Sequence, residues 1–169
     1  MAVDLQVLDD KHEADEVMSS ALDVLTGRDL LTLATQSSEL GPHANSAFFA
    51  VDDLVLFFLS ERTTVHSQNL DADQRVSASV FLDPPQYGEG LRGIQVWGTA
   101  REVSPEERPH AMDVLRRRFP TFAADPAVRD RFLQAELPSV FYRIDIDRLT
   151  VLDEPRFGRR VYVSASVRR

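Results

Sequence analysis

The segment over residues 59–70 carries side chains that could bind an anion. Its sequence, LSERTTVHSQNL, joins the end of an apolar strand to hydroxyl groups, an arginine and a histidine at the predicted start of a short helix. A helix start presents free backbone N–H groups and the positive end of the helix dipole, which favour a bound phosphate. Ser60, Thr63 and Thr64 are equally suited to capping the helix. The segment by itself leaves both interpretations open.

Other kinds of catalytic site have little support in the sequence. The four histidines include no pair four residues apart and no neighbouring set of three metal ligands, and the chain has no cysteine. A Gly-X-Ser-X-Gly motif, which would indicate a serine hydrolase, is absent from the sequence. We therefore expect neither a catalytic metal nor a serine nucleophile.

Composition narrows the class of protein. The chain has 169 residues, a formal net charge of -8 and 43% hydrophobic residues. Its negative charge disfavours binding to nucleic acid or to anionic membranes, and no apolar run approaches the roughly 20 residues of a membrane span. The acidic N-terminal segment lacks the features of a signal peptide. We therefore expect a soluble, cytoplasmic protein with no nucleic-acid or membrane partner.

Apolar periodicity in the first half predicts a helix, a meander of strands and a second helix. An amphipathic helix is expected over 11–26, with Asp10 available as its cap. The second helix should begin near Thr63, at the end of the meander. A tight turn at Asp52-Asp53 joins the last two of three β-rich runs, which cover 30–36, 45–51 and 54–59.

The second half continues the same mixture of elements. Ser104-Pro105-Glu106-Glu107 predicts a helix start with a capping box, and this helix should end by Phe119-Pro120. A further short helix is expected over 126–135. Alternating apolar and polar side chains predict strands over 76–82, 91–103, 139–147, 149–152 and 161–165.

Strand follows strand in this pattern, without regular alternation with helices. It therefore favours an α+β fold built on an antiparallel barrel of seven or eight strands with peripheral helices. One domain over 1–169 is expected, because no linker or repeat interrupts the pattern. In that domain the N-terminal helix over 11–26 precedes a barrel core over 29–152 and a C-terminal tail over 153–169.

Three polar clusters lie on separate predicted strands and are expected to converge. They are His43 to Ser46, Ser60 to Asn69, and Gln95 with Trp97. If the meander closes on itself, they would line one groove with an anion-binding end, amide and hydroxyl groups, and an aromatic wall. A planar, phosphorylated ligand would suit such a groove. Trp97 is equally compatible with a core position in which its indole N–H is hydrogen-bonded.

Five short motifs in the same order resemble a known family. They are LTLAT at 31–35, GPHA at 41–44, FFLS at 57–60, TVHSQNL at 64–70 and RGIQVWGTA at 92–100. Together they resemble the pyridoxamine 5'-phosphate oxidase-like flavin-binding split-barrel family over roughly 14–150. The resemblance implies a split barrel and a homodimer that binds FMN at the interface between its subunits.

The resemblance also implies roles for particular residues. Asn45 and Ser46 would lie beside the isoalloxazine ring, Ser60 near its polar edge, and Gln95 and Trp97 on the long strand that reaches the cofactor. The FMN phosphate would be held by Thr63, Thr64 and His66. Phe157-Gly158-Arg159 resembles a C-terminal stretch that approaches the partner's site.

The sequence departs from true pyridoxamine 5'-phosphate oxidases at two places. Val65-His66 stands where those enzymes usually have an Arg-Lys pair for the FMN phosphate, and their C-terminal substrate-binding arginine motif is not clearly present. Oxidation of vitamin B6 is therefore not the function that we infer.

The leading hypothesis is an FMN-binding oxidoreductase that transfers hydride or electrons between flavin and a small organic substrate, with NADH or NADPH as candidate reductants. No catalytic acid or base can be assigned. One alternative keeps the fold and replaces FMN with a deazaflavin in a reductase. Another is a noncatalytic flavin- or haem-binding protein, with His43 or His66 as a conceivable axial ligand.

Overall fold

The computed structural model describes residues 3–9 and 11–169, and these form eight strands and five helices. The strands are β1 (Asp4–Val7), β2 (Leu30–Ser37), β3 (Gly41–Asp52), β4 (Val55–Glu61), β5 (Arg75–Phe81), β6 (Arg92–Glu102), β7 (Ser139–Asp153) and β8 (Tyr162–Arg168). The helices are α1 (Ala14–Thr26), α2 (Val65–Ala72), α3 (Arg108–Arg118), α4 (Pro126–Leu133) and α5 (Glu154–Phe157).

Antiparallel pairing closes a barrel from six of these strands. Neighbours run in the order β7-β4-β3-β2-β5-β6, and β6 pairs back to β7 to complete the ring. The remaining described strands, β8 and β1, extend the sheet from the other half of β7. The α+β split barrel predicted from the sequence is confirmed.

β7 is the strand at which the barrel and the extension meet. One edge pairs with β6 along most of its length, whereas the other edge pairs with β4 up to Asp145 and with β8 from Arg148 onwards. The register with β6 shifts between Trp97 and Gly98, which leaves Asp147 as an extra residue on β7. Such a bulge bends a strand and changes its side-chain alternation. The bulge lies at the point where β7 changes its partner from β4 to β8.

This bulge explains one difference from the sequence prediction. Strands predicted separately at 139–147 and 149–152 are one strand of 15 residues. Inward-facing side chains occupy even positions up to Ile146 and odd positions from Leu149. The pattern therefore resembles a strand break, although the backbone pairing continues through it.

The turn between β3 and β4 also differs from the prediction by one residue. Its central residues are Asp53 and Leu54, with φ of 47° and 56°, instead of Asp52-Asp53. Positive φ at both central positions is typical of the tight turns that match the twist of a hairpin. Leu54 accepts this conformation because its side chain is fully buried at 0% exposure, and the burial offsets a backbone cost of about 1 kcal/mol.

Two helix starts lie later in the chain than predicted. α1 begins at Ala14 and not at 11, because the backbone of Glu13, the residue before the first helical turn, is extended. Asp10, the predicted cap, lies outside the described residues. α3 begins at Arg108, after a turn over the predicted start. The Glu107 carboxylate accepts a hydrogen bond from Ser104 N at 3.0 Å, so the reciprocal contact of the capping box forms around this turn.

The side chains pack into two hydrophobic cores. The larger fills the barrel and includes the apolar stripe of α1, with Val17, Ala21 and Leu25 buried. The smaller lies outside the barrel, where α3 covers Phe57 and Phe141 on β4 and β7. Among the described helices, none has the length and apolar character to cross a membrane.

Candidate functional site

A cavity of about 660 Å³ lies where β3 and β4 separate. The two strands pair only from Phe49 and Phe58 to their connecting turn. Beyond that pair, β3 continues as the partner of β2, and no strand in the described part of the chain pairs with its other edge over 42–48. We call the space in this gap the split cavity. Its walls include an edge of β3 on one side and the end of β4 on the other.

A cluster of hydroxyl groups and one imidazole forms the polar end of the split cavity. Ser60, at the end of β4, has its Oγ 2.7 Å from His66 Nε2 and 2.9 Å from Thr64 Oγ1. The Ser67 hydroxyl donates to Ser60 Oγ at 3.0 Å, and Thr64 Oγ1 accepts from Ser67 N at 3.4 Å to cap α2. Strand end and helix start are thus joined by their side chains.

His66 is held in its neutral form by its surroundings. Burial lowers the pKa of the imidazole below its ordinary value, and the neighbouring His43 lowers it further. The two rings are nearly parallel, with centroids 6.4 Å apart. His66 is therefore available at neutral pH as a hydrogen-bonding group that can take up a proton when an anion binds beside it.

Two polar atoms next to this cluster are buried and have no hydrogen-bond partner among residues 3–9 and 11–169. They are His43 Nδ1 and Asn45 Oδ1, both on the part of β3 that lies beyond its pairing with β4. Orphaned buried groups of this kind cost about 1–3 kcal/mol each, and they mark a position where a bound molecule could supply the missing partner.

The structure brings together five of the eight residues predicted for the site. Asn45, Ser46, Ser60, Thr64 and His66 all line the split cavity. Thr63 does not: it is exposed in the turn before α2. The helix cap and the cavity contact both belong to Thr64, so the capping role predicted from the sequence is confirmed, and anion binding at this segment stays a prediction.

Gln95 and Trp97 do not converge on the split cavity within one chain. They lie on the exposed side of β6, over a shallow groove with Thr32 and Ser77. The register aligns a row of polar residues across four strands, namely Ser46, Thr32, Ser79 and Gln95. We call this exposed side of β3, β2, β5 and β6 the outer face. The strand order separates its two ends, because β2 and β5 lie between β3 and β6.

The apolar wall of the split cavity was not predicted from the sequence. It consists of Leu30, Phe48, Leu59, Leu115, Phe119 and Phe122. The sequence pattern identifies Phe119 only as the end of α3. A signal for its second role was available in Phe119 and Phe122, two aromatic residues around a proline at 120, where a helix end alone requires none.

No group of three or more potential ligands that could hold a metal ion occurs among residues 3–9 and 11–169. The chief chemical feature of this site is a polar pocket at a helix start, joined to an apolar wall in a split barrel. Such an arrangement suits an organic ligand with an anionic end.

Comparison with known families agrees with this architecture. The family model for pyridoxamine 5'-phosphate oxidase matches residues 19–152. The chain belongs to this family. The resemblance found in the sequence motifs is thereby confirmed. The matched residues of this chain include every strand of the closed barrel except the last residue of β7. A comparison with curated proteins gave no match.

Solved structures show the same fold at low sequence identity. The conserved hypothetical protein Rv2991 from Mycobacterium tuberculosis is 26% identical, with a TM-score of 0.67 over 88% of this chain and 92% of that one. A FAD-binding protein from Mesorhizobium loti is 20% identical, with a TM-score of 0.57 over 96% and 98%.

A haem-binding protein from Mycobacterium smegmatis is 14% identical, with a TM-score of 0.66 over 87% of this chain and 56% of that one. The chain likewise spans 56% of another similar structure. Structures of this fold thus include a FAD-binding and a haem-binding protein. Membership of the pyridoxamine 5'-phosphate oxidase family therefore does not by itself identify the ligand of this chain.

Proposed function

We propose that this protein is a homodimeric oxidoreductase that binds FMN in the split cavity and transfers hydride or electrons between the flavin and a small organic substrate. The observation that carries the proposal is the polar cluster of Ser60, Thr64 and His66 at the start of α2, directly beside the unpaired edge of β3. It offers an anion site and a slot for a planar ring in one cavity.

The cluster fits the phosphate of FMN. The first N–H groups of a helix have no carbonyl partner within the helix, and α2 begins beside Thr64 and His66 at the polar end of the cavity. His66 stands where true pyridoxamine 5'-phosphate oxidases usually have a lysine, and a protonated imidazole could supply the same positive charge.

The remainder of the split cavity fits the flavin ring. The unpaired β3 edge offers backbone donors and acceptors, and Asn45 Oδ1 is a buried acceptor without a partner. Phe119 and Phe122 belong to the apolar wall of the same cavity, where the Phe119 ring packs against Phe48 of β3. When bound, the flavin supplies the redox chemistry, while these residues orient it and exclude water from one side.

The absorption spectrum of the purified protein tests this proposal directly. We expect the two-banded yellow spectrum of an oxidised flavin, either as isolated or after addition of FMN. A single near-ultraviolet to violet band would indicate a deazaflavin, and a sharp Soret band would indicate haem, for which His43 and His66 are the candidate ligands. A protein that stays colourless with FMN would contradict the proposal. Anaerobic reduction of bound FMN by NADH or NADPH would support a catalytic role.

The outer face supports the homodimer. It exposes several large apolar side chains, including Phe48 at 62% and Trp97 at 42% exposure. Leu30 and Phe48 line the split cavity and also a second cavity, which lies on the outer face. A second copy packed on the outer face would therefore cover one side of the flavin site. Clustered exposed apolar residues of this kind are typical of interaction surfaces.

Trp97→Asp is expected to convert the dimer into a monomer, because it replaces a large exposed apolar side chain of the outer face with a charge. Light scattering coupled to size-exclusion chromatography would measure the change in mass. Tyr162→Asp, at an exposed aromatic residue on β8 outside this face, should leave the mass unchanged. An unchanged mass for the Trp97 variant would place the interface elsewhere.

FMN affinity is expected to rise as the pH falls from about 8 to about 6.5. In the free protein His66 is neutral because its pKa is lowered. A phosphate dianion beside the ring raises that pKa, so binding takes up a proton and is favoured at lower pH, by up to about tenfold per pH unit. Below about pH 6 the phosphate itself becomes protonated and the gain should level off.

Fluorescence titration with FMN across this pH range would measure the slope. His66→Gln keeps a hydrogen-bonding group and should flatten it. His43 stacks on His66 and Glu61 lines the same cavity, so His43→Asn and Glu61→Gln are needed to show that the slope belongs to His66. An equal slope in His66→Gln would contradict this assignment.

A further inference from the structure

A second cavity, of about 830 Å³, adjoins the split cavity. We call it the outer cavity. It lies between the α1–β2 connection, the start of β2, the end of β5 and the last residue of α3. Leu30 and Phe48 line both cavities, so a molecule in the outer cavity would be a direct neighbour of one in the split cavity.

Two arginines line the outer cavity, and backbone carbonyls orient both of them. Arg28 Nε donates a hydrogen bond to Phe81 O at 3.2 Å. Arg118 donates to Arg28 O at 2.8 Å, which ties the end of α3 to the α1–β2 connection. Their guanidinium groups are thus positioned before any ligand binds, which lowers the entropy cost of binding an anion.

The acidic partners of these arginines are exposed in the single chain, and one of them, Asp29, also lines the outer cavity. Arg28 pairs with Asp83, whose side chain is 85% exposed, and Arg118 pairs with Asp29, 62% exposed, at 3.0 Å. Exposed ion pairs contribute little to stability. By contrast, the side chain of Arg118 is only 22% exposed, so an anion in the cavity would interact with it in a less solvated environment.

Next to the arginines, the outer cavity offers aromatic surface and a hydroxyl group. Phe48 and Phe81 are both on its wall, and Ser79 lies two residues before Phe81 on β5, opposite Thr32 of β2. The combination of two positioned guanidinium groups with aromatic side chains suits a ligand with a planar apolar body and one anionic group.

We propose that the outer cavity is a subsite for an organic anion, a carboxylate or a phosphate on a planar apolar body, with its anionic group between Arg28 and Arg118. Its role as the substrate subsite rests on the proposed function, because only a flavin in the split cavity would make the bound anion a redox partner. Binding of the anion itself requires nothing from the flavin.

Isothermal titration calorimetry on the full chain, with and without FMN, would test the proposal. Benzoate is the probe, benzamide is its neutral counterpart, and phenyl phosphate is added only with FMN present, when the phosphate site on α2 is filled. We expect benzoate to bind at least about tenfold more tightly than benzamide, and Arg118→Ala to weaken benzoate binding by at least about tenfold. Binding of phenyl phosphate would extend the class to phosphates, and its failure would restrict it to carboxylates.

Arg117→Ala is the matched control. Arg117 is adjacent on α3 but pairs with Asp52 outside the outer cavity, so benzoate affinity should not change. Because Arg118 also anchors the α1–β2 connection, Arg28→Gln is the second variant, and the thermal midpoint of each variant shows that it is folded. Equal binding of benzoate and benzamide, or benzoate binding that survives both substitutions, would overturn the proposal.

The two proposals fail separately in this experiment. A protein that binds benzoate in an arginine-dependent manner but never binds FMN retains the anion subsite and loses the flavoprotein function. A protein that binds FMN but gives no heat with benzoate retains the flavoprotein function and loses the subsite.

Discussion

Gly98→Ala is expected to lower the free energy of unfolding by about 3 kcal/mol or more. A Cβ atom at Gly98 would overlap the backbone carbonyl oxygen of Asp145 on the paired strand β7. This contact lies at the bulge where β7 changes partner from β4 to β8. Backbone on both sides is fixed by strand pairing, so relief of the overlap requires displacement of the barrel seam. Urea unfolding followed by the fluorescence of the single tryptophan, Trp97, would measure the loss.

Gly93→Ala on the same strand provides the comparison. A Cβ atom there would overlap the ring of Phe81, which is partly exposed and can rotate away. The expected loss is correspondingly small, about 1 kcal/mol or less. Similar losses for the two variants would show that the backbone contact at the bulge has no special importance.

Substitution of both Thr64 and His66 by alanine is expected to weaken FMN binding by about 2 to 4 kcal/mol, a factor of about 30 to 800 in Kd. Each side chain lies at the polar end of the split cavity, where it could form a charge-assisted hydrogen bond to phosphate. The loss should be much smaller for riboflavin, which has no phosphate. Fluorescence titration with both ligands would separate phosphate recognition from ring recognition.

Thr63→Ala with Gln68→Ala is the matched double control, because both side chains are exposed and neither lines the split cavity. Thr64 also caps α2, and its loss alone can destabilise the helix by about 1 kcal/mol. Thr64→Ser with His66→Gln retains the cap and should give an intermediate affinity. Equal FMN binding by the alanine pair and the control pair would show that the phosphate lies elsewhere.

Local patterns in the sequence predicted those parts of the fold that depend on local packing. Val76, Ala78 and Val80 alternate with polar neighbours and are buried in β5 as expected. The short strand β1 went unpredicted because its DLQV sequence has only one buried side chain. Its formation depends on the edge that β8 offers, which is a long-range pairing invisible in local periodicity.

The site was predictable to the extent that its residues follow one another in the chain. Ser60, Thr64 and His66 lie together because a strand end leads directly into a helix start. Asn45 joins them through β3, the neighbour of β4 in the meander. The position of Gln95 could not be predicted in the same way. Its distance from Ser46 depends on the pairing of β5 with β2, two strands that are not consecutive in the chain.

The two hydrophobic cores separate the barrel interior from the apolar wall of the split cavity. The polar end of the split cavity is attached to the barrel. On its apolar wall, Leu115 belongs to the smaller hydrophobic core under α3, and Phe119 and Phe122 pack against that core. Changes in these three side chains can reshape the ligand space while the barrel interior keeps its packing. Variation among relatives and directed evolution could therefore alter the range of molecules accepted through one helix and its adjoining loop.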